Sequence, residues 1–163
     1  MSFARRFAVV ALILVSCVGC DQTTKSVARA LLPETGVRSM LGDTVRLQAT
    51  HNEGAFLSLG SSLPRGLRQA LFTSGVAVVL LAMLGYALFA RPLSRVSIVA
   101  ITLVVGGGIS NLADRLVHDG RVFDFINIGI GPLRTGIFNV ADVCITAGIL
   151  VLLAESFVGK SSR

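Results

Sequence analysis

The sequence predicts a mainly α-helical membrane protein with four transmembrane helices and a small extracytoplasmic β-sheet. Of its 163 residues, 53% are hydrophobic and 15% are charged, whereas soluble domains carry about 25% charged residues. The apolar residues fall in long uncharged blocks, as membrane spans require. One polar connection alternates apolar and polar residues with a period of two, which is typical of a strand. Together these observations predict a single membrane-embedded domain over residues 1–163.

The first apolar block permits two interpretations. Residues 7–20 are uncharged and follow two arginines, which is the layout of a secretory signal peptide. The small residues before Cys20 also imitate a lipoprotein cleavage site. Alternatively, one helix continues to the membrane surface, where Asp21 and Lys25 have the spacing of a favourable helical pair. A secreted lipoprotein does not need three further spans, so we expect a helix over residues 7–25.

Three later blocks are long enough to cross a membrane. Residues 69–90 hold no charge, and a helix of this length extends about 33 Å, against a hydrocarbon core of about 30 Å. The next uncharged block predicts a helix over residues 96–115. The last block is interrupted only by Asp142 and Glu155, and it predicts a helix over residues 136–158.

The charges that flank these spans predict how the protein is oriented. Four spans place both termini on one side, and short, basic segments are typical of the cytoplasmic side. The basic residues expected on that side are Arg5, Arg6, Arg91, Arg95, Lys160 and Arg163. The other nine of the fifteen Lys and Arg residues lie on longer connections that also hold eight of the nine acids. We therefore expect cytoplasmic termini and a polar outer face.

The two outer connections differ in pattern. Val45, Leu47 and Ala49 alternate with polar residues, which predicts a half-buried strand within a small β unit over residues 36–60. The connection over residues 116–134 contains three glycines and a proline. Glycine and proline interrupt regular structure, so this second connection is predicted to be a loop or short helix at the same surface.

The composition also indicates which kinds of partner the chain can bind. A net charge of +6 would suggest nucleic-acid binding in a soluble domain. Here the basic residues flank apolar blocks, which favours membrane lipids as partners and no nucleic acid. Three cysteines, an odd number, do not form a disulfide framework. His51 and His118 are isolated along the chain, so we expect no metal and no cofactor.

Ionisable side chains inside a span are costly, and they therefore indicate functional sites. Asp142 would lie about 9 Å inside a helix that begins near Gly136, with Asn139 on the same face. Asp124 lies among apolar neighbours in the preceding connection, where burial would raise its pKa. The third helix ends on the same side of the membrane with three more polar residues, Asn111, Asp114 and Arg115.

Asp124 and Asp142 together suggest a catalytic pair. Two neighbouring carboxyl groups share one proton, and they can activate water and protonate a leaving amine, as in aspartyl proteases. The sequence permits this proximity without establishing it. Alternatively, Asp142 is a structural acid bonded to Asn139, and Asp124 is a solvated loop acid. A transporter that uses Asp114 and Asp142 is a further alternative, although the span over residues 69–90 offers few polar side chains for an ion path.

Five short motifs resemble those of lipoprotein signal peptidase, or signal peptidase II, in order and across nearly the whole chain. They are Asp21-Gln22-Thr23-Thr24-Lys25, Asn52-Glu53-Gly54-Ala55-Phe56, Gly107-Gly108 with Asn111 and Asp114-Arg115, Val122-Phe123-Asp124-Phe125, and Phe138-Asn139-Val140-Ala141-Asp142. Each motif is weak alone, but five of them placed between four spans are specific. One departure is Ser110, where the family usually has glycine, and it should tighten helix packing slightly.

The resemblance implies a role for each of these residues. Asp124 and Asp142 would be the catalytic dyad of an aspartic endopeptidase. Eight residues would support the site or bind the substrate: Asn52, Gly54, Asn111, Asp114, Arg115, Asn139, Asp21 and Lys25. For Asp21 and Lys25 we expect mainly a structural role at the membrane surface. A simple interfacial ion pair is an equal alternative for Asp114 and Arg115.

The resemblance also implies the reaction. The substrates would be prolipoproteins that carry a diacylglyceryl-modified cysteine, and the cut would fall immediately before that cysteine. The enzyme would lie in the bacterial cytoplasmic (inner) membrane as a multi-pass protein with its active site at the outer face. No cofactor is implied, and the inhibitor globomycin would be expected to act on it.

Overall fold

A computed structural model of the chain describes residues 1–53, 63–64, 66–67 and 70–160. Within these ranges four helices are long and apolar enough to cross a membrane, namely Phe3–Leu31, Ala70–Phe89, Arg95–Val117 and Val140–Phe157. A small antiparallel sheet of four strands lies at one end of them. The predicted fold class is therefore confirmed: a mainly helical membrane protein with a small β-sheet.

Helix α1 (Phe3–Leu31) is longer than the predicted residues 7–25. Ser2 caps its first turn, since the Ser2 Oγ accepts a hydrogen bond from the Arg5 backbone N–H. The helix continues without a break through Cys20 and ends shortly before Pro33, a residue that cannot continue a helix. This unbroken helix favours the interpretation of the first block as a membrane helix.

Helix α3 (Arg95–Val117) is the central helix of the bundle. It packs against α1, α2 (Val76–Phe89) and α4 (Val140–Lys160), and a π-helical turn over Ala70–Gly75 precedes α2. Three consecutive glycines of α3 make these close approaches possible. A Cβ atom on Gly106, Gly107 or Gly108 would collide with Cys17 of α1, Ala141 of α4 and Leu80 of α2, respectively.

The sheet has the strand order β1 (Arg38–Met40), β2 (Val45–Asn52), β3 (Val122–Ile130) and β4 (Leu133–Arg134). Two of these strands lie in the connection over residues 116–134, where a loop or short helix was predicted, so that prediction was wrong. The apolar run that begins at Val122 pairs with β2 and is mostly buried. Two of the glycines that suggested a loop lie in the turns on either side of β3, where Gly120 has a φ of 84° and Gly131 a φ of 55°.

The last helix begins at Val140, four residues later than predicted. The backbone of Phe138 pairs with Ile126 of β3 instead, with N–H to O distances of 2.8 and 2.9 Å. Asn139 and Asp142 then form a reciprocal cap: the Asp142 N–H donates to Asn139 Oδ1 at 2.9 Å, and the Asn139 N–H donates to Asp142 Oδ2 at 3.2 Å. Asp142 therefore lies in the first turn and not about 9 Å inside the helix.

The sheet is attached to the helices by aromatic packing. Phe123 and Phe125 of β3 stack with ring centroids 5.9 Å apart, and both pack against Ala28 near the end of α1. The Arg29 guanidinium lies 4.7 Å from the centroid of the Phe123 ring. Since strand side chains alternate between faces, these contacts direct the side chain of Asp124 to the opposite face of the sheet, towards α3 and α4.

Candidate active site

The structure brings most of the predicted site residues to one place, where the C-terminal ends of α1 and α3 and the N-terminal end of α4 meet β2 and β3. Those within this region are Asp124, Asp142, Asn52, Asn111, Asp114, Arg115, Asn139, Asp21 and Lys25. Gly54, also predicted to support the site, lies outside the described residues. The site thus combines side chains from five separate elements of the chain.

Asp124 is almost completely buried, with 2% of its surface exposed. Two side-chain amides hold its carboxyl group. Asn52 donates from Nδ2 to Asp124 Oδ2 at 3.0 Å, and Asn139 donates from Nδ2 to Asp124 Oδ1 at 2.6 Å. These bonds fix both oxygens of the carboxyl group in a buried environment on β3.

Asp142 is held in a similar way from the first turn of α4. Asn111 of α3 donates from Nδ2 to Asp142 Oδ1 at 2.9 Å, and the backbone N–H of Asn139 reaches Asp142 Oδ2. Both carboxyl groups of the predicted pair are therefore oriented by neutral donors.

Asn139 connects the two acids directly. Its side-chain N–H₂ binds Asp124, its side-chain oxygen caps the Asp142 turn, and its backbone N–H binds the Asp142 carboxyl group. Burial raises the pKa of Asp124 to about 6, and the negative charge of nearby Asp142 adds to that effect. Near pH 6, Asp124 can therefore hold a proton beside a second carboxyl group, an arrangement that allows one group to donate a proton and the other to accept one.

An open cavity of about 470 Å³ reaches both carboxyl groups. Asn52, Asn111 and Arg115 line its polar end beside the two acids. The remaining lining is almost entirely apolar: Phe72, Val76, Gly108, Val122, Ile145, Thr146, Ile149 and Leu150. A second, apolar cavity of about 380 Å³ lies on the other flank of α4 and also touches Asp142, together with Thr146 and Leu150.

A buried charged cluster lies behind the pair. Lys25 Nζ lies 2.6 Å from Asp21 Oδ2 and 3.0 Å from Asp114 Oδ2, and all three side chains are almost fully buried. Asp21 and Lys25, expected to be mainly structural at the membrane surface, thus lie in the interior of the protein and join α1 to α3. Their burial has a physical reason: α3 supplies the charged and polar partners that make a buried cation tolerable.

Asp114 belongs to this cluster. Besides Lys25, it accepts hydrogen bonds from Gln22 Nε2 at 3.0 Å and from the backbone N–H of Phe123 at 3.1 Å. Asp114 thus connects α1, α3 and β3. Its neighbour Arg115 lines the cavity beside the two acids.

Sequence reasoning missed two members of the cluster, Ser110 and Gln22. Ser110 Oγ donates to Asp21 Oδ2 at 2.7 Å and accepts from Gln22 Nε2 at 3.0 Å. Asp21 in turn accepts from the backbone N–H of Ala141, next to Asp142, at 2.8 Å. A polar residue four positions before Asp114, on the same helix face, was the available signal. Ser110 was expected only to tighten helix packing slightly, and its effect on activity was left open.

The described part of the chain also shows where its potential metal ligands and its cysteines lie. Among the residues that the structure describes, no group of three or more His, Cys, Asp or Glu side chains is placed to hold a metal ion. The three cysteines are free. Within the same described ranges, the polar side-chain groups of the cavity and its acids are two carboxyl groups, three asparagine amides, one guanidinium and the Thr146 hydroxyl.

Comparisons with known proteins identify similar sequences. Residues 13–158 match the profile of a family described as signal peptidase (SPase) II. The lipoprotein signal peptidase of Streptococcus pneumoniae is 32% identical over 149 residues, which cover 91% of this chain and 92% of that protein. The lipoprotein signal peptidase of Treponema pallidum is 35% identical, over 82% of this chain and 75% of that protein.

The fold also has a counterpart among solved structures. A bacterial membrane enzyme whose structure was obtained by the in meso method superposes with a TM-score of 0.82. The match covers 96% of this chain and 92% of that enzyme, at 24% sequence identity. At this level of identity the similarity concerns the fold.

Proposed function

Because the chain belongs to the signal peptidase II family, we propose that it is an aspartic endopeptidase that removes signal peptides from diacylglyceryl-modified prolipoproteins, cutting immediately before the lipidated cysteine. The observation that carries the aspartic mechanism is the pair of buried carboxyl groups, Asp124 and Asp142, joined through Asn139 at the end of an apolar cavity. Peptidase activity follows from the family; the catalytic residues and the cleavage position are our proposal.

In the proposed mechanism the pair holds one proton between its two members. The ionised carboxylate accepts a proton from water, which attacks the scissile carbonyl carbon. The other carboxyl group donates a hydrogen bond to the carbonyl oxygen and stabilises the tetrahedral intermediate. A proton then passes to the leaving amine, so that each carboxyl group alternates between acid and base. The raised pKa of Asp124 suits this residue to hold the proton before the reaction.

The shape and polarity of the site suit a membrane-anchored substrate with two apolar parts. The two cavities meet at Asp142, Thr146 and Leu150, and both have predominantly apolar walls. A signal helix and the acyl chains of a lipidated cysteine are both apolar, and they join at the bond to be cut. We propose that the larger cavity receives the signal peptide and the smaller one an acyl chain, with the scissile bond beside Asp142.

Two further polar residues of the cavity, Arg115 and Asn52, would bind the substrate and orient Asp124, respectively. Arg115 lies beside both acids and would bind a carbonyl group of the substrate peptide. Asn52 ends β2 and orients Asp124. Buried donors of this kind pre-organise a site, because they do not have to reorient during the reaction.

We further propose that the site opens at the outer face of the cytoplasmic membrane, with both termini in the cytoplasm. The end of the bundle opposite to the site carries Arg6, Arg91 and Arg95, as the distribution of positive charge on cytoplasmic segments requires. Arg6 is held there by the carbonyl oxygens of Ala87 at 2.5 Å and Ala90 at 2.8 Å.

The proposal is tested by the cleavage of a lipidated precursor with purified protein in detergent. Asp124→Asn and Asp142→Asn should each lower kcat by at least about a thousand-fold, because the two groups act as a unit. Asp43→Asn is the matched control, since Asp43 pairs with Arg46 at an exposed turn of the sheet, away from the site.

Two results would contradict the proposal. Full activity in both Asp124→Asn and Asp142→Asn would remove the dyad. Cleavage of an unlipidated precursor as fast as of the lipidated one would remove the assigned substrate class. Inhibition of the wild type by globomycin would add support that does not depend on the variants.

A further inference from the structure

Lys25 occupies an unusual position for a lysine, since none of its surface is exposed. Its ammonium group contacts Asp21 at 2.6 Å, Asp114 at 3.0 Å and the side-chain oxygen of Asn111 at 3.0 Å. The first two contacts neutralise the buried charge. The third connects Lys25 to Asp142, because the same Asn111 carboxamide donates to Asp142 Oδ1.

The direction of the Asn111 carboxamide is determined by its neighbours. A carboxamide has an accepting oxygen and a donating N–H₂ group, whereas an ammonium group can only donate. Lys25 Nζ and Asn139 Nδ2 both donate to Asn111 Oδ1, at 3.0 and 3.1 Å. The N–H₂ group must therefore face Asp142.

The opposite orientation of Asn111 would be unfavourable at every contact. Its N–H₂ group would meet the ammonium of Lys25 and the N–H₂ group of Asn139, and its oxygen would meet the carboxylate of Asp142. Buried polar groups that face like partners cost free energy instead of contributing it. Without Lys25, one of the two donors that enforce the observed orientation is lost.

We propose that Lys25 is a positioning residue of the dyad: by donating to Asn111 Oδ1, it compels the Asn111 carboxamide to present an N–H donor to Asp142. This inference rests on the proposed function, in which Asp142 is catalytic. It extends that function by assigning to a buried cation on α1 a task in the reaction and not in folding alone.

The charge of Lys25 has a second effect on the pair. Within the described residues, the cations that face the dyad are Lys25 from α1 and Arg115 from α3, and the acids behind it are Asp21 and Asp114. Removing the Lys25 charge favours the protonated form of Asp124, so its pKa rises. The pH above which activity declines should then move upward, a change that loss of folding stability alone does not produce.

The test is a double-mutant cycle with Lys25→Met and Asn111→Ala, measured on kcat for a lipidated precursor. We expect each single variant to lower kcat by about ten- to one-hundred-fold, the range for a lost hydrogen bond to a charged group. The double variant should resemble Asn111→Ala alone, because Lys25 acts through Asn111. Multiplicative effects of the two substitutions would overturn the proposal.

Arg6→Met is the matched control for a lost buried cation on the same helix. Arg6 binds the carbonyl oxygens of Ala87 and Ala90 at the other end of the bundle. Its substitution should lower thermal stability while leaving kcat and the pH profile unchanged. The pH profile of Lys25→Met should shift upward, and an unshifted profile would contradict the proposal.

Lys25→Met leaves two buried acids without their cation and could misfold for that reason. A second variant therefore tests the proposal without leaving a buried charge unpaired. Asp21→Asn/Lys25→Met/Asp114→Asn removes all three charges together, and buried clusters tolerate such joint replacement better than the loss of one partner. Its kcat should fall to the same extent as in Lys25→Met. Wild-type kcat in this variant would overturn the proposal.

A readout without substrate separates this inference from the proposed function. In protein labelled with ¹⁵N on asparagine side chains, the Asn111 amide signals should change in Lys25→Met and stay unchanged in Arg6→Met. Unchanged Asn111 signals in Lys25→Met would contradict the positioning role even if the wild type cleaved no prolipoprotein. Conversely, a wild type that fails to cleave would contradict only the proposed function.

Discussion

Burial of a single carboxyl group, Asp124, sets the expected pH dependence of the reaction. Its pKa is raised to about 6. The dyad needs one proton to donate to the leaving amine, so activity should fall as pH rises through this value. We expect kcat/KM to decrease about ten-fold per pH unit well above pH 6, as for the loss of one proton. A rate profile between about pH 5 and pH 9 measures this decrease.

The same profile should be found for Asp43→Asn. The Arg46 guanidinium holds the pKa of Asp43 far below its usual range, so Asp43 does not titrate in this interval. An activity that increases steadily with pH over the whole interval would contradict the proton-holding role of Asp124.

Burial of Asp124 also has a cost in stability. A carboxyl group whose pKa rises from 3.8 to about 6 on folding favours the folded state less as pH increases between these values. At about pH 8 the charged group lowers the free energy of unfolding by about 3 kcal/mol. Asp124→Asn removes this penalty, so its stability relative to the wild type should increase from about pH 4 to about pH 8.

Thermal unfolding followed by circular dichroism in detergent measures this difference. Any constant loss from altered hydrogen bonds to Asn52 and Asn139 cancels, since only the change with pH matters. A difference between variant and wild type that does not vary with pH would show that Asp124 is not buried in its charged form.

Sequence reasoning and the resemblance identified the two acids and most of the residues around them, but not the burial of Lys25 or the hydrogen bonds of Ser110 and Gln22. Asp142 was noticeable as an acid within an apolar block, and Asp124 as an acid among apolar neighbours. The depth of Lys25 was not predictable, because the burial of a charge depends on partners from another helix. Ser110 and Gln22 were missed for the same reason: their hydrogen bonds join α1 to α3, 88 and 89 positions apart along the chain.

Among the helices, the close approach of α3 to α4 positions the site. A Cβ atom on Gly107 would collide with the backbone oxygen of Ala141 and lie 2.8 Å from Ile145. Gly107→Ala should therefore displace the first turn of α4, which carries Asp142. We expect a loss of about 1–3 kcal/mol in stability, as for overpacking, and a loss of most of the activity.

Gly85→Ala is the matched control for this substitution. Gly85 lies in α2, and a Cβ atom added to it would meet no atom within 4 Å. Alanine is favoured over glycine in a helix by about 1 kcal/mol, so Gly85→Ala should preserve activity and not reduce stability. Equal effects of the two substitutions, measured by melting temperature and kcat, would contradict the packing argument.

The connection over residues 116–134 and the start of the last helix differed from their sequence-based predictions for physical reasons that act over long distances. The connection over residues 116–134 has glycines that indicate a loop, yet it pairs with β2, a strand from a distant part of the chain. The last helix was expected to begin at residue 136. Pairing of Phe138 with Ile126 and the Asn139 cap delay its start to Val140.

At the scale of the whole molecule, the helices were predictable because lipid requires long, continuous apolar segments. How closely the helices approach one another was not predictable from the residues alone, because it depends on contacts such as those of the α3 glycines. The resemblance to signal peptidase II indicated in advance which residues would lie near one another. The structure then gave the hydrogen bonds that explain why the matching residues lie together.

The proposed orientation makes a prediction for intact cells. In a chain without its native cysteines, Leu133→Cys lies at an exposed position of the sheet, where 84% of the leucine surface is accessible. A membrane-impermeant maleimide added to spheroplasts should label it. Pro92→Cys, in the exposed connection between α2 and α3, should react only after the membrane is opened. The reverse labelling pattern would invert the orientation.

Asn139 couples the local folding of helix α4 to the arrangement of the two acids. One carboxamide both caps the first turn of α4 and donates to Asp124. Thermal fraying of that turn would therefore separate Asp124 from Asp142. The local stability of one helix end, and not only the global stability of the protein, then determines the fraction of molecules in which the pair is intact.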